Sequence, residues 1–258
     1  MNMATPRNPG ALKSAVGAWG DVRESLTWLF TPALIAFLIL LTLESVKTLI
    51  MPLPNSTAAF ELKRLSYEAV KMIFIVPYII AVHRFIILGE ITTGYRIAIG
   101  KPRPWRFSGW SLAFLVVGNS PTTISVLLPG EAPLEDILGV VLGILTTVAA
   151  IPAMVLFPAV AVDAPGANWR QAILDTYAHV WDVVLTTIAA MLPWIVVAVL
   201  GREILQSSVP ADTAIAFDFF DAIVVLVGCT LGAVVASRIY QRIGAHVLNG
   251  RVQRHAAK

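Results

Sequence analysis

The chain has 258 residues, 57% of them hydrophobic and 14% charged, with a mean hydropathy of +0.76. Soluble domains carry about 25% charged residues, so this composition excludes an ordinary soluble protein. The net charge of only +3 offers no strongly basic surface for nucleic acid, and a single cysteine, Cys229, excludes an intramolecular disulfide or a cysteine metal site.

Taken in chain order, residues 1–27 read as a cytoplasmic amphipathic segment. Leu12, Ala15, Val16, Trp19, Val22 and Leu26 share one helical face, with Lys13, Asp21 and Glu24 off it. No basic start runs directly into a short apolar core and a small-residue cleavage site, so no cleaved signal peptide is expected. Six apolar stretches follow at 28–51, 69–88, 108–128, 137–162, 183–200 and 214–236. About 20 apolar residues of helix match the hydrocarbon thickness, and a backbone in lipid must satisfy its own hydrogen bonds. The expectation is an all-α integral membrane bundle of six transmembrane helices over 28–240, with a basic cytoplasmic tail at 241–258.

Between the fourth and fifth stretches, Trp169, Ile173, Tyr177, Val180 and Trp181 recur at helical spacing, with Arg170, Gln171 and Asp175 pointing away. Asn168 followed by Gln171 has capping-box spacing. This segment and the N-terminal one are each read either as interfacial helices or as helices packed on other parts of the protein.

The basic residues orient the bundle. With six spans and both termini inside, the cytoplasmic side holds Arg7, Lys13, Arg23, Arg84, Arg96, Lys101, Arg103, Arg106, Arg170, Arg238, Arg242, Arg251, Arg254 and Lys258, a total of 14. The outside holds Lys47, Lys63, Arg64, Lys71 and Arg202, a total of 5. If the third stretch merely dipped into the membrane, the division would become 9 inside and 10 outside. The positive-inside rule therefore favours six spans.

Catalytic signatures are missing: there is no HExxH, GxSxG or CxxC, and His83, His179, His246 and His255 show no metal-ligand spacing. Gly94 to Lys101 has the wrong spacing for a phosphate loop. No enzymatic activity, cofactor or metal is expected. Charges in the spans are more informative, because one at a helix centre costs about 2.5–3.5 kcal/mol. Glu44 and Lys47 lie three apart, either as a local ion pair or as half of a polar site, and Glu68 and Lys71 repeat the spacing. Asp218 and Asp221 are like charges three apart; they lie in the head-group region, or share a proton, a cation, Lys47 or Lys71 between them. Asn119 and Pro121 break the third stretch, either as a kink or as a substrate site. Glu44, Lys47, Asn119, Asp218 and Asp221 thus form a candidate intramembrane polar site. Gly139/Gly143 and Gly228/Gly232 have Gly-x-x-x-Gly spacing and are expected to pack against internal helices.

A second candidate lies at the cytoplasmic edge, where Arg84, Arg103 and Arg106 with Trp105 would form an anionic head-group site. In the structural alternative, Arg84 snorkels to the surface, and Glu90 pairs with it or with Arg96. Basic residues near such a surface contribute about 1 kcal/mol each.

Two edges carry a family likeness. The segment His83-Arg84-Phe85-Ile86-Ile87-Leu88-Gly89-Glu90 and the segment Phe157-Pro158-Ala159-Val160-Ala161-Val162-Asp163, with the run ending Ala236-Ser237-Arg238-Ile239-Tyr240, resemble a group of bacterial polytopic membrane proteins. That group is similar to the membrane domain fused to some glycerophosphodiester phosphodiesterases, whose catalytic domain has no counterpart in this chain. The resemblance implies a bacterial inner-membrane location and no catalytic residues. The functional expectation is a non-enzymatic lipid-associated or protein-interaction module with membrane lipids, anionic ones among them, as partners. The alternative is a small transporter or channel.

Overall fold

The computed structural model describes residues 11–50, 57–95, 100, 102–127, 132–208 and 213–244. These fold into helices alone: α1 (Ala11–Trp28), α2 (Phe30–Ile50), α3 (Thr57–Leu88), α4 (Pro102–Leu127), α5 (Ala132–Ala161), α6 (Trp169–Tyr177), α7 (Val180–Ser208) and α8 (Ala214–Ile243). Five contain a stretch long and apolar enough to cross a membrane: Phe30–Lys47, Ala59–Leu88, Ile137–Ala161, Val180–Ser208 and Ile215–Ile243. The architecture is that of a multi-pass membrane protein. Among the basic residues of the charge count, Arg7, Arg96, Lys101, Arg251, Arg254 and Lys258 lie outside the described residues, as do His246 and His255.

α4 carries Asn119, Ser120, Pro121, Thr122 and Thr123 in its second half. It is a single helix of 26 residues, about 39 Å long. Proline at 121 has no N–H for the carbonyl four residues back, at Val117. Two hydroxyls take over that carbonyl: Ser120 donates at 2.6 Å and Thr146 of α5 at 3.1 Å. Asn119 Nδ2 donates to Leu115 O at 2.7 Å, and Thr123 Oγ1 to Asn119 O at 3.0 Å. The polar cluster satisfies its own helix.

The long helices alternate in direction. One end, called the rim here, gathers the C-terminal ends of α3, α5 and α8 with the N-terminal ends of α4 and α7. Arg84 of α3 donates to Ala161 O of α5, Arg106 of α4 donates to Ala167 O, and Arg242 of α8 reaches Asp182 of α7. The opposite end gathers Glu44 of α2, Lys71 of α3, and Arg202 of α7 with Asp221 of α8. Phe107 and Phe114 of α4 both pack on Phe157 of α5.

α8 is the most enclosed of the five apolar spans and packs against α1, α2, α3, α5 and α7. Its small side chains permit this: Ala222, Leu231, Ala233 and Val234 are buried, and Trp194 lies 3.2 Å from where a side chain on Gly228 would begin. Two buried hydrogen bonds join it to α3, Tyr78 to Thr230 and His83 to Ser237, both 2.7 Å. The Gly-x-x-x-Gly expectation holds only at Gly228, since no described atom lies within 4 Å of a side chain begun at Gly139, Gly143 or Gly232. α5 instead turns Ile137, Val140, Val141, Ile144 and Val148 outward.

α1 packs on α7 and α8. Ala15, Ala18 and Val22 are buried, Trp19 and Leu26 pack beside them, and Val16 is exposed. Of the two readings of this segment, packing on protein is the one observed. α2 continues almost directly, with Leu29 as the only interruption and its backbone hydrogen bonds to Ser25 and Ala33 kept. α3 begins twelve residues before its apolar stretch, and its polar first turns hold a Glu61–Arg64 pair at 2.7 Å.

Candidate membrane-interface site

The rim brings Arg84, Arg103 and Arg106 together, but their charges are largely met from within. Arg84 forms a bidentate pair with Glu90, Nε at 2.8 Å and Nη2 at 2.6 Å, and Nη1 donates to Ala161 O at 3.2 Å. Arg103 pairs with Asp163. Burial, with Arg84 close by, pushes the Arg103 guanidinium below the usual arginine range. Asp163 has a positive φ of 54° just past α5, in the left-handed region that aspartate tolerates better than most residues. Arg106 is exposed and donates to Ala167 O at 3.0 Å, and Trp105 beside it is also exposed. Arg84 and Arg103 therefore stitch the ends of α3, α4 and α5, which is the structural alternative foreseen for Arg84. Trp105 and Arg106 are the members that face outward.

α6 extends this edge. Asn168 caps it, accepting from Gln171 N at 2.8 Å, as the capping spacing anticipates, while the Gln171 side chain turns forward to Asp175 at 3.2 Å. Ala172 and Thr176 face the protein, and Trp169 stacks on Trp110 with centroids 5.6 Å apart. The apolar set read as one face is thus split. Trp169 points inward, whereas Ile173, Leu174, Tyr177 and Trp181 are exposed, Tyr177 at 82% and Trp181 at 76%. Aromatic side chains at the polar ends of apolar helices suit the membrane interface.

The other candidate set is brought together in part, at the end opposite the rim. Glu44, only 4% exposed, is held by Lys47 at 3.3 Å and Lys71 of α3 at 3.2 Å, and Lys71 also pairs with Glu68 at 2.8 Å. Tyr67 lies under both lysines, 5.7 and 5.3 Å from their ammonium groups. Both local pairs of the sequence reading exist, joined across helices by Glu44–Lys71. Asp221 finds Arg202 at 3.6 Å, and half-buried Asp218 lies near Tyr67, the ring under both lysines. Asn119 sits on α4, which packs on α3 and α5, and bonds within its own helix. Glu44, Lys47 and Asp218 thus gather around Tyr67, with Asp221 one turn beyond Asp218 on α8, and Asn119 is the member set apart on α4.

Sequence reasoning missed a clamp at the rim. Arg238 Nε and Nη2 bind Asp21 of α1 at 2.5 and 2.8 Å. The guanidinium lies against Gly17, where a side chain would collide with it. The 217 residues separating Asp21 from Arg238 left no local signal. The available clue was a glycine on the polar side of α1, one turn before Asp21. Comparison with protein-family models, curated proteins and solved structures gives no match.

Proposed function

We propose that this is a non-enzymatic, multi-pass protein of a bacterial inner membrane that associates with lipid through its rim. The observation that carries the reading is the outward-facing set Trp105, Arg106, Ile173, Leu174, Tyr177 and Trp181. Apolar and aromatic bodies of this kind enter the interface, and a nearby arginine adds attraction to anionic lipid. The pairing of Arg84 and Arg103 with acids reduces their share in that attraction. In this reading α4 is a sixth span and the rim is cytoplasmic. Supporting this are the length of α4, its antiparallel fit between α3 and α5, and the excess of 14 basic residues over 5. The bacterial setting comes from the likeness to the membrane domain of glycerophosphodiester phosphodiesterases. A transport role would require Asn119 of α4 to share a path with the polar residues gathered at the opposite end, so it ranks second.

Native mass spectrometry of the protein released gently from its own membrane tests the reading. Wild type retains lipid, and the combined Trp105→Ala, Arg106→Ala and Trp181→Ala variant loses most of it, roughly tenfold in occupancy. A bare wild type, or an unaffected variant, overturns it. Arg84 and Arg103 are unsuitable probes because removing either leaves Glu90 or Asp163 unpaired.

A further inference from the structure

A cavity of about 540 Å³ opens among α1, α3, α7 and α8 at the rim end, within the size range of small-molecule sites. Its polar lining includes Asp21, Glu24, Thr186, Arg238, Gln241 and Arg242, with Phe85 and Ile86 supplying apolar wall. Most of these groups are fixed. Arg238 is held by Asp21, Arg242 reaches Asp182 at 3.4 Å, and Gln241 donates to Ile86 O at 2.9 Å.

Thr186 is different. It is 3% exposed, yet its Oγ1 has no hydrogen-bond partner among the described residues. Helical hydroxyls in this protein commonly donate to the carbonyl four residues back, as Thr176, Thr230 and Ser237 do at 2.7–2.8 Å. Ser25 and Thr187 also hold hydroxyls without such a partner, but it is Thr186 that lines the cavity. A buried polar group left without a partner is costly, so something that enters the cavity and bonds it is favoured.

The charges indicate what enters. Two carboxylates and two guanidinium groups leave the wall with no net formal charge. Arg238 is already met by Asp21 and Arg242 by Asp182, and an added anion alone would face Asp21, Glu24 and Asp182 together. A ligand carrying both signs can share the guanidinium groups with their carboxylates while its positive end meets Glu24. Guanidinium and hydroxyl donors together suit phosphate oxygens, and carboxylates suit an ammonium. We infer that this cavity binds a phosphate–ammonium zwitterion of the phosphoethanolamine type, with the phosphate toward Arg238, Arg242 and Thr186 and the ammonium toward Glu24. The chemistry is shared by a phospholipid head group and a free phosphate ester. The inference rests on the lipid-associated reading only for the source of the ligand.

The test adds phosphatidylethanolamine, phosphatidylglycerol or free phosphoethanolamine to the delipidated full chain and reads occupancy by native mass spectrometry. Wild type should retain phosphatidylethanolamine over phosphatidylglycerol by roughly fivefold or more. Glu24→Gln and Thr186→Val should each reduce that retention roughly three- to tenfold. Both changes preserve size, and circular dichroism should show unchanged helix content. Displacement of the lipid by free phosphoethanolamine would support a soluble source, and retention of the intact lipid alone would support a head group. Equal retention of the two lipids, or unchanged retention in both variants, overturns the inference. Trp181→Ala separates it from the rim reading, because it should lower total bound lipid while leaving the phosphatidylethanolamine preference intact. Binding of free phosphoethanolamine by a protein that carries no lipid would remove the rim reading and leave this one standing.

Discussion

Glu44 is enclosed between α2 and α3 with two lysines on it, and Lys71 is shared between Glu44 and Glu68. Removing Lys71 leaves two carboxylates near each other with only Lys47 for compensation. Breaking a buried pair from one side costs about 3–5 kcal/mol. Lys71→Met is therefore expected to destabilise by about 3 kcal/mol, and adding Glu44→Gln should recover most of it. Thermal unfolding of the two variants in detergent checks this, and a double variant as unstable as the single one would contradict it. Two glycines of α1 make a sharper contrast. Gly17→Ala pushes into the Arg238 guanidinium and should cost about 1–3 kcal/mol through overpacking and a weakened Asp21 pair. Gly20→Ala meets nothing within 4 Å and should gain up to about 1 kcal/mol from helix propensity. Asp175 of α6 is a third case. Burial holds its carboxyl above the usual carboxylate range, partly opposed by the hydrogen bond from Gln171. The folded state thus favours its protonated form, and the resulting stability is present at low pH and lost as pH rises through the raised folded value. Asp175→Asn keeps an acceptor for Gln171, so it should be more stable than wild type at pH 7, with the difference closing on acidification in melts taken from pH 7 to 4.

At the scale of elements, α4 shows how helices in an apolar medium repair a proline. Val117 O lacks its usual donor and receives Ser120 and Thr146 instead. Interhelical hydrogen bonds in membrane proteins average about 0.6 kcal/mol and reach about 1.7. Thr146→Val should cost about 1 kcal/mol in wild type and markedly less in a Pro121→Ala background, where Val117 O regains a backbone donor. Equal costs in both backgrounds would show that the threonine does not serve the proline's carbonyl. The same element shows the limits of the sequence. Apolar runs of about 20 residues located the five observed spans, because length and hydropathy alone decide whether a helix suits a bilayer. The (i, i+3) pairs and the Asn168 cap were legible for a similar reason, since both partners lie within one turn. What stayed hidden joins distant residues: Arg238 with Asp21, Lys71 with Glu44, Arg103 with Asp163. Helical periodicity names a buried face without naming the helix that covers it. The apolar set on α6 accordingly divided between Trp169, turned inward, and Tyr177 and Trp181, turned outward.

For the whole molecule, orientation follows from how charge is distributed between two ends. Glu44, Lys47, Glu68, Lys71, Arg202 and Asp221 gather at one end in compensating pairs. The rim holds most of the basic residues, and several of them, including Arg84, Arg103 and Arg238, are also compensated. Intramolecular pairing weakens neither side's topological signal, because insertion reads Lys and Arg near span ends and Asp and Glu contribute little. In the proposed six-span arrangement an even number of crossings puts both ends of the chain on one side, and α4 is the helix on which that parity depends. Single cysteines in a Cys229→Ala background decide it by reaction with a membrane-impermeant maleimide in intact cells. With six spans, Arg202→Cys and Glu131→Cys should react from outside, while Glu24→Cys and Arg170→Cys should react only after permeabilisation. If α4 does not cross, the sites before and after it no longer fit one assignment. Glu131→Cys would then share the protection of Glu24→Cys, and Arg170→Cys would react in intact cells. That outcome would split the rim across the two faces of the membrane. The contacts of Arg84 with Ala161 and of Arg106 with Ala167 tie these two parts together, so a five-span topology requires those contacts to be absent in the membrane, which loss of an Arg106→Cys to Ala167→Cys crosslink would register.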